Sequence, residues 1–370
     1  MKFTADRKEV IDALKTASGC VIGKPILPIL ANVLIEADGA KAKFTCYNLE
    51  QRITATCDVQ TERGGKTTIP AKKLLSLLNK MSGDEIVFDA ADNFITTIYC
   101  GSATATISGL TPDDFPEAPE LETKIEVIIG TPLLQTLFKD VAYAVSLDGS
   151  RKVLTGVLLE VSDGKLAVCA TDGKRMALAE APAPVETDSV TSCIIPAAAV
   201  NILRKFGGET ISLSLAANYI VAKVDGVELT SKLIDGNYPN YQNIIPKETQ
   251  YAIKLEADVL IDKLGVVAEM VNMDKFIACT ISKDRIEFKS LSEIGSVIDS
   301  IDIDTEDTTI DKPMTLNFNP AFVADALKAC DCGEFVFGFN DTLSPMKFDF
   351  GGGVVAVVMP VRKGSAKNEE

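Results

Sequence analysis

A proline, a short amphipathic helix, a stop and a strand are written three times along this chain of 370 residues. Residues 69–88 hold Ile69-Pro70, then Leu74, Leu77, Leu78 and Met81 at helical spacing, then Ser82-Gly83 and the strand-like Ile86-Val87-Phe88. Residues 195–215 and 319–339 repeat that order behind Pro196 and Pro320. Proline at the first helical position costs no bond, because the first-turn N–H groups have no intrahelical partner. Gly83, Gly207-Gly208 and Gly333 then predict where each helix ends. The three prolines are 126 and 124 residues apart, so the chain is built from three units of one design. At roughly 120 residues each, the units are long enough to bury cores of their own.

Each unit opens on a second apolar helical pattern. Val10, Ile11, Leu14 and Ala17 form it in the first, and Leu133, Leu134, Leu137, Phe138 and Val141 after Pro132 in the second. Val259, Leu260, Leu264 and Val267 form it in the third. Between and after the helices lie alternating or β-branched runs bounded by turn residues, such as Asn32–Glu36, Lys43–Tyr47 and Gln51–Asp58. The order helix, strands, helix, strands predicts an α+β fold with antiparallel sheets. Phe115-Pro116 and Tyr238-Pro239 make matching exits from units one and two. The expected domains are therefore 1–122, 123–248 and 249–362, with a polar tail at 363–370.

The chain has no histidine, which excludes His-based triads, His acid/base catalysis and His metal ligands. No phosphate-cradling glycine loop occurs, and Gly351-Gly352-Gly353 precedes a strand rather than a helix, so a hairpin turn is expected there. The nine cysteines are scattered, which suits buried reduced thiols rather than a metal or disulfide framework. No metal and no cofactor are expected. The absence of a signal-like or membrane-spanning apolar run places the expectation in the cytoplasm, with no membrane partner.

A formal charge of −15 argues against indiscriminate coating of nucleic acid. Yet the proline-led helices carry Lys72, Lys73, Lys80, Arg204, Lys205 and Lys328 against one acid, Asp325. Concentrating positive charge on three repeated helices suits a single phosphate-attracting surface, with acid elsewhere. Residues 170–178, Ala-Thr-Asp-Gly-Lys-Arg-Met-Ala-Leu, read as a hairpin turn with a basic flank.

The triplication resembles the bacterial DNA polymerase III beta subunit family, the sliding clamps. So do Leu27-Pro28-Ile29-Leu30, the 170–175 motif, Asp235-Gly-Asn-Tyr-Pro-Asn-Tyr241 and Val357-Val-Met-Pro-Val-Arg362. The resemblance spans essentially the whole chain. It implies three clamp domains, each of two helices on antiparallel sheets, closing as a head-to-tail homodimer into a six-domain ring. Twelve helices would line the hole around duplex DNA, held without base readout. Lys24, Lys72, Lys73, Arg151 and Lys205 match basic or DNA-facing family positions, and helix register adds Lys80 and Arg204.

The resemblance also implies a pocket for short hydrophobic motifs of the replicative polymerase, the clamp loader and repair proteins. Its matching positions are Leu154, Thr171, Gly173, Lys174, Arg175 and Met176, then Pro239, Ile244 and Leu343, and finally Val358, Met359, Pro360, Val361 and Arg362. Lys174 departs from a common histidine and Val361 from a common methionine. Ring closure would join an edge of unit one, near Ala105 and Ile107, to unit three, near Met270 and Val271. A carboxylate-based hydrolase on a repeated scaffold is one competing reading, and a structural ring that holds no DNA is another.

Overall fold

Each repeat begins with a strand, not with the helix that its apolar spacing advertises. The computed structural model describes residues 1–362 except 22, 24, 184–189, 272–274, 304–309 and 311. The expected tail at 363–370 lies outside the described residues. The first repeat runs β1 (Lys2–Asp6), α1 (Arg7–Ala17), β2 (Asn32–Asp38), β3 (Lys41–Tyr47), β4 (Gln51–Asp58) and β5 (Gln60–Arg63). It continues through β6 (Gly65–Pro70), α2 (Ala71–Leu78), β7 (Glu85–Ala90), β8 (Ile95–Cys100) and β9 (Ala103–Ser108).

The second runs β10 (Thr123–Gly130), α3 (Thr131–Ala142), β11 (Gly156–Ser162), β12 (Lys165–Thr171) and β13 (Arg175–Pro182). Then come β14 (Thr191–Pro196), α4 (Ala197–Leu203), β15 (Thr210–Ala216), β16 (Tyr219–Val224) and β17 (Val227–Lys232). The third runs β18 (Tyr251–Glu256), α5 (Ala257–Ala268), β19 (Ile277–Ile281), β20 (Arg285–Ser292) and β21 (Gly295–Asp302). It closes with β22 (Met314–Phe318), α6 (Pro320–Cys330), β23 (Glu334–Phe339), β24 (Met346–Gly351) and β25 (Val354–Val358).

Two details correct the sequence reading. Only Pro320 occupies the first turn of its helix, with the Asn319 side chain accepting from the Ala321 N–H. Pro70 and Pro196 sit one step earlier, as the last residues of β6 and β14. Both strands lie at sheet edges, where a missing N–H breaks no ladder. The second correction concerns helix ends: α2 stops at Leu78 and α4 at Leu203, so Lys80, Arg204 and Lys205 stand just past them. Met81 is nonetheless buried, and its N–H still reaches the Leu77 carbonyl.

The chain falls into two compact units, one of 1–133 with 198–233 and one of 134–197 with 234–370. The first holds a five-stranded sheet, β5-β1-β7-β8-β9, and an eight-stranded sheet, β10-β15-β16-β17-β4-β3-β2-β6. The second holds an eight-stranded sheet, β14-β11-β12-β13-β25-β24-β23-β18, and a four-stranded sheet, β21-β20-β19-β22. All pairings are antiparallel, as expected.

Each long sheet is a splice of two repeats. β17 pairs with β4 through Leu229↔Ile53, and β25 pairs with β13 through Val357↔Met176. The last strand of one repeat thus meets, in the repeat preceding it, the strand just before the proline-bearing edge strand, β13 before β14; its counterpart in the first repeat is β4, which β5 separates from β6.

In the second unit, α5 and α6 pack on one another and on the strands beneath them. Leu260, Leu264, Val323 and Leu327 share one core with Phe335, Phe337, Phe339 and Phe348, of which Phe337 and Phe348 are stacked. Each such side chain removed from water contributes about 1.5–3 kcal/mol. Gly351, Gly352 and Gly353 form the expected hairpin turn, all at positive φ. A Cβ on Gly353 would lie 2.6 Å from the Glu180 carbonyl on β13, so glycine is required for the sheet splice as well as the turn.

Candidate nucleic-acid interface and partner pocket

The cations on the strands are largely spoken for. Lys2–Glu62, Lys41–Asp58, Arg63–Asp89 and Lys66–Asp113 pair within the first unit, and Lys165–Glu180 and Lys254–Glu334 within the second. Lys139 on α3 and Lys263 on α5 are paired as well, with Asp331 and Asp299, but the set at the proline-led helices differs. Lys72, Lys73 and Lys80 at α2, Arg204 and Lys205 at α4, and Lys328 on α6 are exposed. None of them pairs with any described acid. An unpaired cation on a short helix is free to neutralise a phosphate without breaking a native contact. Lys24 lies outside the described residues. Arg151 is exposed but already engaged: its Nη2 donates to the Asp172 carbonyl at 2.8 Å.

The first unit also has a concavity of about 460 Å³ lined by Asp6, Glu9, Asp58, Asp84 and Glu85 among others. Acid of that density repels phosphate, and Asp6 is spent on capping α1. Among the described residues no grouping of His, Cys, Asp and Glu is arranged to hold a metal ion. Burial pushes the thiols of Cys20 and Cys57 up to about 12, so neither supplies a ready nucleophile.

The turn joining β12 to β13 is the most tightly bonded loop near the expected pocket. Thr171 Oγ1 donates to the Arg175 carbonyl at 2.7 Å and accepts from the Gly173 N–H at 3.0 Å. Asp172 Oδ1 accepts from the N–H groups of Lys174 and Arg175. Gly173 takes φ +86°, and the Arg151 guanidinium lies 2.9 Å from where a Cβ would stand. The C-terminal segment is brought to this turn by β25: Arg175 pairs with Val358, and the Met359 N–H donates to the Lys174 carbonyl at 2.9 Å. Beneath them Met176 packs with Leu158, Ile234, Tyr241 and Val357, and Ile244 lies against that cluster.

Models of the N-terminal, central and C-terminal domains of the DNA polymerase III beta subunit match residues 1–119, 129–240 and 242–362 in turn. The chain belongs to the DNA polymerase III beta subunit family. It is 27% identical to the beta sliding clamp of Synechocystis sp. over 394 residues, covering 98% of this chain and 99% of that one. The beta sliding clamp of Bacillus subtilis is 25% identical over 379 residues, covering 98% and 100%. The crystal structure of the DNA polymerase III subunit beta from Pseudomonas aeruginosa superposes with a TM-score of 0.93 at 23% identity, covering 98% and 100% of the two chains. That likeness shows the fold.

Within this beta-subunit chain, the expected pocket residues divide by exposure. Leu154, Thr171, Met176 and Val358 are buried. Met359, at 38% exposed, and Leu343, at 58%, present apolar surface, and Ile244, Pro360 and Val361 are half-buried. Gly173, Lys174, Pro239 and Arg362 are exposed. Of the expected closure residues, Ala105 and Ile107 lie on β9, an open sheet edge. Met270 and Val271 follow α5 and are half-buried; they are not on a strand. In the third repeat β21 lies at one edge of its four-stranded sheet; its Ile298 is 55% exposed, and Ser, Asp and Gly interrupt its apolar residues, so the sequence gives it no strand signal.

Proposed function

We propose that this family member works as a DNA sliding clamp, a processivity factor that encircles duplex DNA and tethers the replicative polymerase, clamp loader and repair proteins. Its clamp domains are 1–122, 123–248 and 249–362, followed by a polar tail at 363–370. The observation that carries the reading is the splice rule. β17 of the second repeat joins β4 of the first, and β25 of the third joins β13 of the second. By the same rule β9 of the first repeat and β21 of the third are left as open edges. Joining β9 of one copy to β21 of another continues the series without a new kind of contact and removes both edges. A ring closed in this way needs only weak phosphate attraction, since topology supplies retention. The clamp itself performs no chemistry on the DNA.

Loading on nicked circular plasmid tests this directly. Clamp retained on the circle should be lost within minutes once the plasmid is cut at one site, while the uncut control keeps it. Equal retention on circular and linear DNA would exclude a sliding ring.

The partner site of this proposal is the surface around Met359, Pro360 and Leu343. The Pseudomonas aeruginosa sliding clamp has been crystallised bound to griselimycin, which supports a ligand site on this fold. A short peptide carrying a Gln and a Leu-Phe pair would bury two apolar side chains, for a gross gain of roughly 3–6 kcal/mol before ordering costs. Micromolar affinity is expected. Met359→Ala should weaken it by about 1–3 kcal/mol in calorimetry with the dimer intact. Leu154→Ala is a poorer probe than its apolar character suggests, because at 3% exposure it reports on the core. Unchanged binding by Met359→Ala would remove the site from this surface.

A further inference from the structure

Asp325 is the one acid on the proline-led helices, and its partner lies 150 residues away in sequence. Arg175 Nη1 donates to Asp325 Oδ2 at 2.6 Å, while its Nε donates to Asp172 Oδ2 at 3.1 Å. The guanidinium carbon stands 4.6 Å from the centre of the Phe322 ring and 5.4 Å from that of Tyr143. Among the described residues the buried Tyr143 hydroxyl has no hydrogen-bond partner, and its ring presents a face to the cation. The Arg175 side chain is 13% exposed. A planar fork held by two carboxylates and two rings has little left to offer a ligand.

The chain of contacts runs from α6 to the mouth of the pocket. Asp325 and Phe322 lie on α6; Arg175 and Asp172 bound the turn; and the Lys174 carbonyl in that turn accepts from the Met359 N–H. Arg151 holds the same turn from the other side through the Asp172 carbonyl. We propose that Arg175 is a positioning residue that staples α6 to the β12–β13 turn, so that Asp325 sets the shape of the partner pocket without touching its ligand. This rests on the pocket reading above. It also accounts for the acid on a basic helix: Asp325 is matched by Arg175, leaving the Lys328 charge of α6 unopposed.

A double-mutant cycle separates stapling from direct contact. The probe is a short fluorescein-labelled peptide carrying a Gln and a Leu-Phe pair, titrated into full-length Arg175→Ala, Asp325→Asn and the double variant. Each single change should lower affinity about tenfold, the double variant should be no weaker than the poorer single, and Asp325→Glu should recover most of the loss. If Asp325→Asn binds like wild type while Arg175→Ala does not, or if the two losses multiply, the staple is overturned. Should Arg175→Ala fail to fold, Arg175→Lys takes its place, since it keeps the charge and loses the fork. Amide hydrogen exchange provides a readout independent of the peptide: Asp325→Asn should speed exchange in 171–176, and Arg175→Ala in 320–330. If wild type binds no peptide, the pocket reading fails, and the exchange result alone decides the staple. Unchanged exchange in both segments would sink it.

Discussion

Replacing Lys72, Lys73, Lys80, Arg204 and Lys205 together by alanine is expected to abolish most of the salt-dependent affinity for duplex DNA while leaving the fold intact. Each phosphate neutralised contributes about 0.9 to the slope of log affinity against log salt. If all five cations of both copies in the ring meet phosphates, the slope should flatten by about 9, and binding at low salt should fall by orders of magnitude. The fold should tolerate the change because all five side chains are exposed and none pairs with a described acid. Exposed positions of that kind usually shift stability by less than about 0.5 kcal/mol each. Fluorescence anisotropy of a labelled duplex over a salt series, with a thermal melt beside it, measures both. A variant with wild-type slope would move the DNA-facing surface away from these helices.

The second large effect is expected at the open edges. Ile298→Asp on β21 should turn the closed assembly into single chains, and so should Ala105→Pro on β9. Ile298 is 55% exposed in the single chain, and burying such a side chain contributes about 1.5–3 kcal/mol. A carboxylate in its place loses that gain and adds a desolvation cost. In a two-copy ring every substitution strikes both junctions, so the penalty doubles to roughly 3–6 kcal/mol, a factor of about 10²–10⁴ in the dissociation constant. Proline on β9 acts differently, by removing an N–H from the ladder the edges would share. Analytical sedimentation should show wild type as the larger species and both variants at the mass of one chain, with far-UV circular dichroism unchanged. A wild-type protein that sediments as one chain at micromolar concentration would exclude the ring.

The helices were the legible part of this protein. In α1, α3 and α5, Val10, Leu14, Leu134, Leu137, Leu260 and Leu264 are buried where the apolar spacing put them. The exposures of Leu133 and Val259 mark the edges of those faces. Hairpin strands were also legible, because Asp38-Gly39 and Asp163-Gly164 announce their turns. The opening strands β1, β10 and β18 were missed for a physical reason. β1 and β18 are short, and their buried residues alternate with more exposed ones, Phe3 and Ala5 in the one, Ile253 and Leu255 in the other, while the longer β10 runs straight into the helix that follows it. That pattern is weak beside the helical run that follows it.

The candidate sites divide along the same line. Basic residues on repeated helices can be counted in the sequence, since charge and helix register are local properties. Arg175 also stood out there, but its engagement with Asp325, Phe322 and Tyr143 did not. Nor did the burial of Leu154 and Met176, which leaves almost none of either side chain at the surface.

By itself, then, the sequence determined three repeats, their helices, the antiparallel character of the sheets and the sign of the helix charge. Period and propensity are written over a few neighbouring residues, and each reads out without knowledge of the rest of the chain. Only the tertiary structure decided that β17 joins β4 and β25 joins β13, which distributes three repeats over two compact units and leaves β9 and β21 open. A strand's alternation states which face is buried and nothing about which edge it will meet, because every strand offers the same backbone donors and acceptors. The choice falls to side-chain packing across the splice, where Met176 meets Val357 and Leu229 meets Ile53, and that complementarity exists only once the distant segments are together.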